Sequence, residues 1–247
     1  MLDDLISHFL TKNLYGSGGS GGSYDEGFEA GKKQAYDAFW DAYQQNGKRW
    51  TYEGLFAGNG WTEEIFRPKY PLTPFNAFRM FWANTMNIDL VQHLTNLGIY
   101  SAMKVTSEGT EMFAYSQFTR IGEIDFSQSP SAASAFSGAS SLVTIDKLVL
   151  GISNNISSMF NNCSSLMHIT IEGTINYTMN FQWSPLTVDS MRSIITHLTD
   201  YSGDENNIYM RTLTFNEACW TALEASGTSP NGDTWKEYVS DLGWNAV

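Results

Sequence analysis

The chain has 247 residues, a net charge of −12, 42% apolar and 14% aromatic residues, and only 16% charged residues. The acidity argues against unaided binding to nucleic acid or to an anionic membrane surface, because like charges repel, and no run approaches the roughly 18 uninterrupted apolar residues of a membrane span. A charged fraction below the roughly 25% of ordinary globular chains, made up by Ser, Asn, Thr and Gly, favours an extended, loop-rich or repetitive architecture over a helical enzyme.

The opening MLDDLISHFL has acids where a secretion signal requires Lys or Arg, so no signal peptide is read. Leu2, Leu5, Ile6, Phe9 and Leu10 fall at helical spacing behind Asp3 and Asp4, which predicts an anchor helix within 1–15. Isolated helices shorter than about 12–15 residues are marginal in water. This one therefore needs a partner: its own core, another copy, or a docking protein. GSGGSGGS at 16–23 has no side chain able to pack. It reads equally as an engineered linker or as an entropic leash between an anchor and a working part.

A second helix is predicted over 24–47, with Phe28, Ala35, Phe39 and Tyr43 as its apolar stripe. Gly27, Gly31, Ala35, Ala38 and Ala42 place small residues every three or four positions. Glycine costs a helix roughly 1 kcal/mol relative to alanine, so these glycines suggest close approach of a neighbouring backbone. That neighbour is either the chain's own body or a second copy in a short homo-oligomeric bundle. Leu5, Phe9, Phe28, Gly31, Ala35, Phe39 and Tyr43 are the candidate oligomerisation residues. Residues 48–110 are rich in aromatics and broken by Pro68, Pro71 and Pro74. They read as a turn-rich adapter and N-terminal cap, in which DLVQHLTNLG is a helical turn or a first, degenerate repeat.

Repetition begins at residue 111. MFAYSQFTRIGEID, AFSGASSLVTIDKL and MFNNCSSLMHITIE start at Met112, Ala135 and Met159. Their leading aromatics, Phe113, Phe136 and Phe160, are 23 and 24 residues apart. Each is followed by Phe118, Leu142 or Leu166, then by Ile121, Ile145 or Ile169, then by Ile124, Leu148 or Ile171. A period of 20–29 residues with alternating Leu and Ile in one short strand is the pattern of leucine-rich repeats. FQWSPLTV at 181–188 reads as a truncated fourth copy. Where Cys163 stands, its sister copies carry Ala139 and a position near Ser116. A nucleophile or ligand would not be replaced by alanine in this way, so Cys163 reads as a small residue in a tight bend.

The texture then changes. Val188, Met191, Ile194, Ile195 and Leu198 predict a helix, IYMRTLTF a strand, and NEACWTALEASG a helix with Asn216 as N-cap. Thr234 and Glu237 fit a capping box for a last helix that Gly243 ends. Residues 189–247 thus form the C-terminal cap that an open repeat stack needs. The expected fold is an α/β repeat: a short solenoid with parallel strands over 111–188, preceded by helices and closed by an α/β cap.

Catalytic and metal motifs are missing from the sequence. The four histidines form no HExxH and no ligand pair, and no GxSxG, dinucleotide fingerprint or Walker pattern is found. Asp200 to Glu205 lacks the register of a calcium loop and reads as a polar turn. His197 beside Asp200 reads as a surface pair. Cys163 and Cys219 are either one bridge or, the favoured reading, two separate buried thiols. No metal, cofactor or enzymatic activity is expected.

The second and third copies share F-x-x-C/A-S-S-L-x-x-I and resemble the BspA-like leucine-rich repeats; Phe160, Cys163, Ser165, Leu166, Ile169 and Ile171 match most fully. The arrangement as a whole also looks like proteins of gut bacterial phages and prophages. The resemblance implies a tail-associated or surface protein of the virion. Such a protein would meet other virion proteins through its N-terminal helices and bind a host receptor or glycan. The alternatives are a bacterial surface-type adhesin and a purely structural decoration protein; a wall hydrolase is the weakest reading. The repeat pattern makes Arg120, Glu123, Thr144, Asp146, His168 and Thr170, which flank the strand isoleucines, the candidate ligand-facing residues.

Overall fold

The computed structural model describes residues 37, 54–58, 61–64, 66–74, 76–152, 154–203 and 211–247. The anchor helix, the Gly/Ser linker and the oligomerisation residues Leu5 to Tyr43 lie outside the described residues. The chain is α/β, with parallel strands in two sheets. The elements are α1 (Leu90–Asn96), β1 (Met103–Lys104), β2 (Arg120–Asp125), β3 (Thr144–Leu150), β4 (His168–Gly173), β5 (Met179–Phe181), α2 (Val188–Ile195), β6 (Arg211–Phe215), α3 (Glu217–Ala225), α4 (Trp235–Asp241) and β7 (Trp244–Ala246). One sheet runs β1-β2-β3-β4 and the other β5-β6-β7.

The strands form where β-branched residues alternate with polar ones, and a parallel register aligns equivalent positions of the three copies. Ile121 pairs with Ile145 and Ile145 with Ile169; Ile124 pairs with Leu148 and Leu148 with Ile171. All six are buried. Two residues separate the inward positions in β2 and β3 but only Thr170 does so in β4, and the register shifts between Ile145 and Leu148. An unmatched residue of this kind is what a β-bulge accommodates.

The leading aromatics stack face to face. Ring centroids lie 5.6 Å apart for Phe113 and Phe136 and 5.4 Å for Phe136 and Phe160, with planes within 8° and 7° of parallel. Such spacing is the offset stacking that aromatic quadrupoles favour. The row continues on both sides of 111–188. Phe81 stacks on Phe113 at 5.0 Å and Phe56 on Phe81 at 5.2 Å. Phe181 stacks on Phe160 at 4.9 Å, and Phe215 follows at 5.9 Å. The segment read as an adapter thus carries the same row, and Phe181 sits where a fourth copy would put its aromatic.

Each stacked phenylalanine from Phe56 to Phe160 sits midway between two residues in the left-handed region: Gly54 and Gly58, Arg79 and Ala83, Glu111 and Tyr115, Ser134 and Gly138, Ser158 and Asn162. That conformation costs a non-glycine residue roughly 1–2 kcal/mol. Its effect here is to aim alternate N–H groups one way, at the next copy. The N–H groups of Phe56, Phe81, Phe113 and Phe136 donate to Met80, Met112, Ala135 and Met159 carbonyls at 2.7–3.1 Å. Strand and arch therefore each carry a backbone ladder, one on either side of the buried row.

The C-terminal elements follow the sequence reading closely. Thr187, Asn216 and Thr234 cap α2, α3 and α4, and the Thr234–Glu237 capping box is present. Residues 208–210 of the predicted strand lie outside the described residues; Arg211–Phe215 is β6. DLVQHLTNLG contributes α1, opened by Asp89, whose side chain accepts from the Gln92 N–H.

Candidate functional site

The outward side chains of β2, β3 and β4 form one polar surface. The register sets Arg120, Thr144 and His168 in a single row across the strands. Arg120 reaches forward to Asp146 with two parallel bonds, Nε to Oδ1 at 2.8 Å and Nη2 to Oδ2 at 2.9 Å. Its Nη1 lies 3.6 Å from Asp89. The hydrogen bonds from Arg120 to the Asp146 carboxylate raise the guanidinium's pKa further above its ordinary value, against the opposing effect of burial. Lys147 bridges Glu123 at 2.9 Å and Glu172 at 3.6 Å. These side chains are partly solvated, so water screens the pairs and they add little to folding. Their larger effect is to hold the outward side chains of neighbouring strands in fixed positions.

Beside this network lies a groove of about 370 Å³ between β3, β4 and the start of α2. Its walls carry Thr144, Asp146, His168 and Thr170 from the strands and Thr187, Asp189 and Ser190 from the helix, over a floor of Ile145 and Ile169. The volume falls at the small end of ligand pockets, roughly 300–1,000 Å³. His168, Thr170 and Asp189 are exposed. Ser190 is buried and committed: its hydroxyl accepts from the Ile169 N–H and donates to the Met167 carbonyl, both at 3.0 Å. The lining offers carboxylates, hydroxyls and one imidazole, a set suited to hydrogen bonding with a polar ligand. Asp189 is well placed in the first turn of α2, where the helix dipole favours an acid.

Of the six residues predicted to face a ligand, Thr144, Asp146, His168 and Thr170 meet in the groove. Arg120 and Glu123 lie outside its lining, in the interstrand ion pairs. Sequence reasoning missed the α2 wall. Thr187 to Ser190 fall at and beyond the end of the truncated fourth copy, so no periodic signal links them to the strands.

The remaining chemical candidates have structural places. Cys163 and Cys219 are free and buried. The Cys163 thiol donates to the Phe136 carbonyl at 3.1 Å, and burial pushes it up to about 12. Cys163 occupies the third position after its phenylalanine. At the corresponding position Asn84 donates to the Phe56 carbonyl at 2.7 Å, and Ser184 to the Cys163 carbonyl at 2.9 Å. This is a small polar residue tying one copy to the previous one. His197 follows α2, and its Nδ1 bonds the Ser193 carbonyl at 2.7 Å; Asp200 accepts from the Ser202 N–H. The expected His197–Asp200 pair is thus replaced by two local bonds, because each side chain turns to the nearest backbone group. Among the described residues no group of three or more His, Cys, Asp and Glu is placed to hold a metal, and no helix is long and apolar enough to cross a membrane.

The chain matches no family model, and neither a curated protein nor a solved structure shows significant similarity to it.

Proposed function

We propose that this chain is a leucine-rich-repeat binding protein, a short solenoid of the BspA-like kind that serves as a tail or surface component of a phage particle. Its N-terminal segment, residues 1–47, joins other virion proteins and a second copy of the chain. Its repeat head meets a receptor or glycan on the host surface. One observation carries the reading. At aligned positions the inward side chains are alike (Ile121, Ile145, Ile169), whereas the outward ones differ freely (Arg120, Thr144, His168). A surface whose chemistry varies over a constant core is what recognition by a repeat array requires. The groove at β3, β4 and α2 supplies a concavity on that surface.

The test uses the full-length chain incubated with cell walls from a panel of gut bacteria. Retention on at least one wall is expected. Thr170→Trp, which fills the groove from an exposed position, should weaken retention at least tenfold without lowering the melting temperature. Absence of retention across the panel, or equal retention by Thr170→Trp, would overturn the reading.

A further inference from the structure

We infer a second binding surface, on the arch side of the molecule, where Trp82 and Tyr115 form a platform for a neutral glycan. It shares no residue with the groove, so it stands or falls separately. Tyr115 is 58% exposed and Trp82 37% exposed, and their rings meet edge to face at 6.5 Å. The Arg79 guanidinium lies 5.6 Å from the Trp82 ring and is held by Glu111 at 2.7 Å. The rings are thus flanked by a fixed donor and a fixed acceptor.

Tyr115 is unusual for its place. Its φ is +58°, in the left-handed region, where a bulky side chain is disfavoured. The equivalent positions, two residues after each stacked phenylalanine, hold Gly58, Ala83, Gly138 and Asn162, which are small or tolerate that conformation. The fold does not need an aromatic here, and more than half of this one faces water. It is nevertheless accommodated: a Cβ at Gly138 would collide with the Tyr115 ring, so the neighbouring copy leaves room for it. The positive φ belongs to the arch, where the Tyr115 N–H donates to the Ser137 carbonyl at 2.9 Å; what the arch leaves unexplained is the exposed aromatic side chain placed there.

The chemistry of the platform selects its ligand. The exposed Tyr115 ring, held edge to face against Trp82, sheds water against the apolar C–H face of a pyranose ring. The Tyr115 hydroxyl, Arg79 and Glu111 remain for the sugar's hydroxyl groups. The Arg79 charge is already balanced by Glu111, and a chain of net charge −12 repels an acidic polymer. A neutral polysaccharide fits both conditions.

The experiment is affinity electrophoresis of the full-length chain in native gels carrying mannan, xylan, galactan or mixed-linkage β-glucan. Retardation is expected in at least one. Tyr115→Gly should weaken it at least tenfold while keeping the parent melting temperature, since glycine is at ease at this φ. Trp82→Ala should act alike, and His168→Ala in the groove should leave the retardation unchanged. If Trp82→Ala fails to fold, Tyr115→Gly alone decides. The inference is overturned by no retardation in any of the four gels or by undiminished retardation of Tyr115→Gly.

Discussion

The backbone N–H of Ile171 donates to Ser193 Oγ at 2.8 Å, and two residues earlier the Ile169 N–H donates to Ser190 Oγ at 3.0 Å. These amides belong to β4, the last strand of its sheet, and point where a further parallel strand would offer carbonyls. Helix α2 lies there instead. Two serines one turn apart on the helix replace the missing acceptors, so the sheet ends without an open edge.

Removing these hydroxyls should expose that substitution. Ser190→Ala leaves the Ile169 N–H without its acceptor, while the Met167 carbonyl keeps the Thr187 N–H, and a buried unpaired group costs about 1–3 kcal/mol. Ser193→Ala should cost less, about 1 kcal/mol, because Ser193 is less buried. Urea denaturation measures both. Hydrogen exchange should quicken at the Ile169 amide in the first variant and at the Ile171 amide in the second. Unchanged protection at these amides would deny the helix its role as an edge cover.

The aromatic row should behave as a continuous core. Phe136 is fully buried and stacked on both sides, so Phe136→Ala is expected to cost about 3–5 kcal/mol. Phe136→Leu retains most of the volume and should cost less. A loss below about 1 kcal/mol for the alanine variant, read from denaturant midpoints, would contradict the packing described here.

Gly173 holds a φ of +86°, and a Cβ there would meet the Leu150 carbonyl oxygen of the preceding strand. Strain and collision add, so Gly173→Ala should destabilise by on the order of 3 kcal/mol. Gly227 also has positive φ but opens onto free space, so Gly227→Ala should cost only the conformational part, about 1 kcal/mol. The comparison of the two midpoints separates crowding from backbone strain.

Cys163 should be silent to thiol reagents in the folded protein at pH 8 and reactive in denaturant, as burial holds the thiol protonated up to about 12. The sign of its pH effect follows. A thiol whose folded pKa lies above the ordinary 9.0 keeps a proton that the unfolded chain releases. Its contribution is therefore intact below pH 9 and is lost as pH rises from there toward 12. Over that window the parent should lose stability faster than Cys163→Ala, by up to about 1.4 kcal/mol per pH unit. Equal slopes, or rapid labelling of the native thiol, would place Cys163 in a different environment.

Much of this was legible from residue patterns. The recurrence at Phe113, Phe136 and Phe160 announced equivalent segments, and the isoleucines behind them announced inward strand positions. Asn216, Thr234 and Glu237 announced helix starts, because capping is local chemistry within four residues. Phe56, Phe81 and Phe215 escaped notice although they join the same row. From Phe81 to Phe113 the chain inserts α1 and β1, and from Phe181 to Phe215 it inserts α2, so the spacing loses its period where the packing keeps it.

The chain's own order of residues determined which side chains face inward and where turns and caps fall, since both depend on neighbours a few positions away. Tertiary structure alone decided that Arg120 would grip Asp146, that α2 would cover the edge of β4, and that Tyr115 would lie over Gly138. Those pairings join residues 21 to 26 positions apart along the chain. They depend on how one copy registers against the next, a choice made by the summed fit of a buried row and two backbone ladders rather than by any local run of residues.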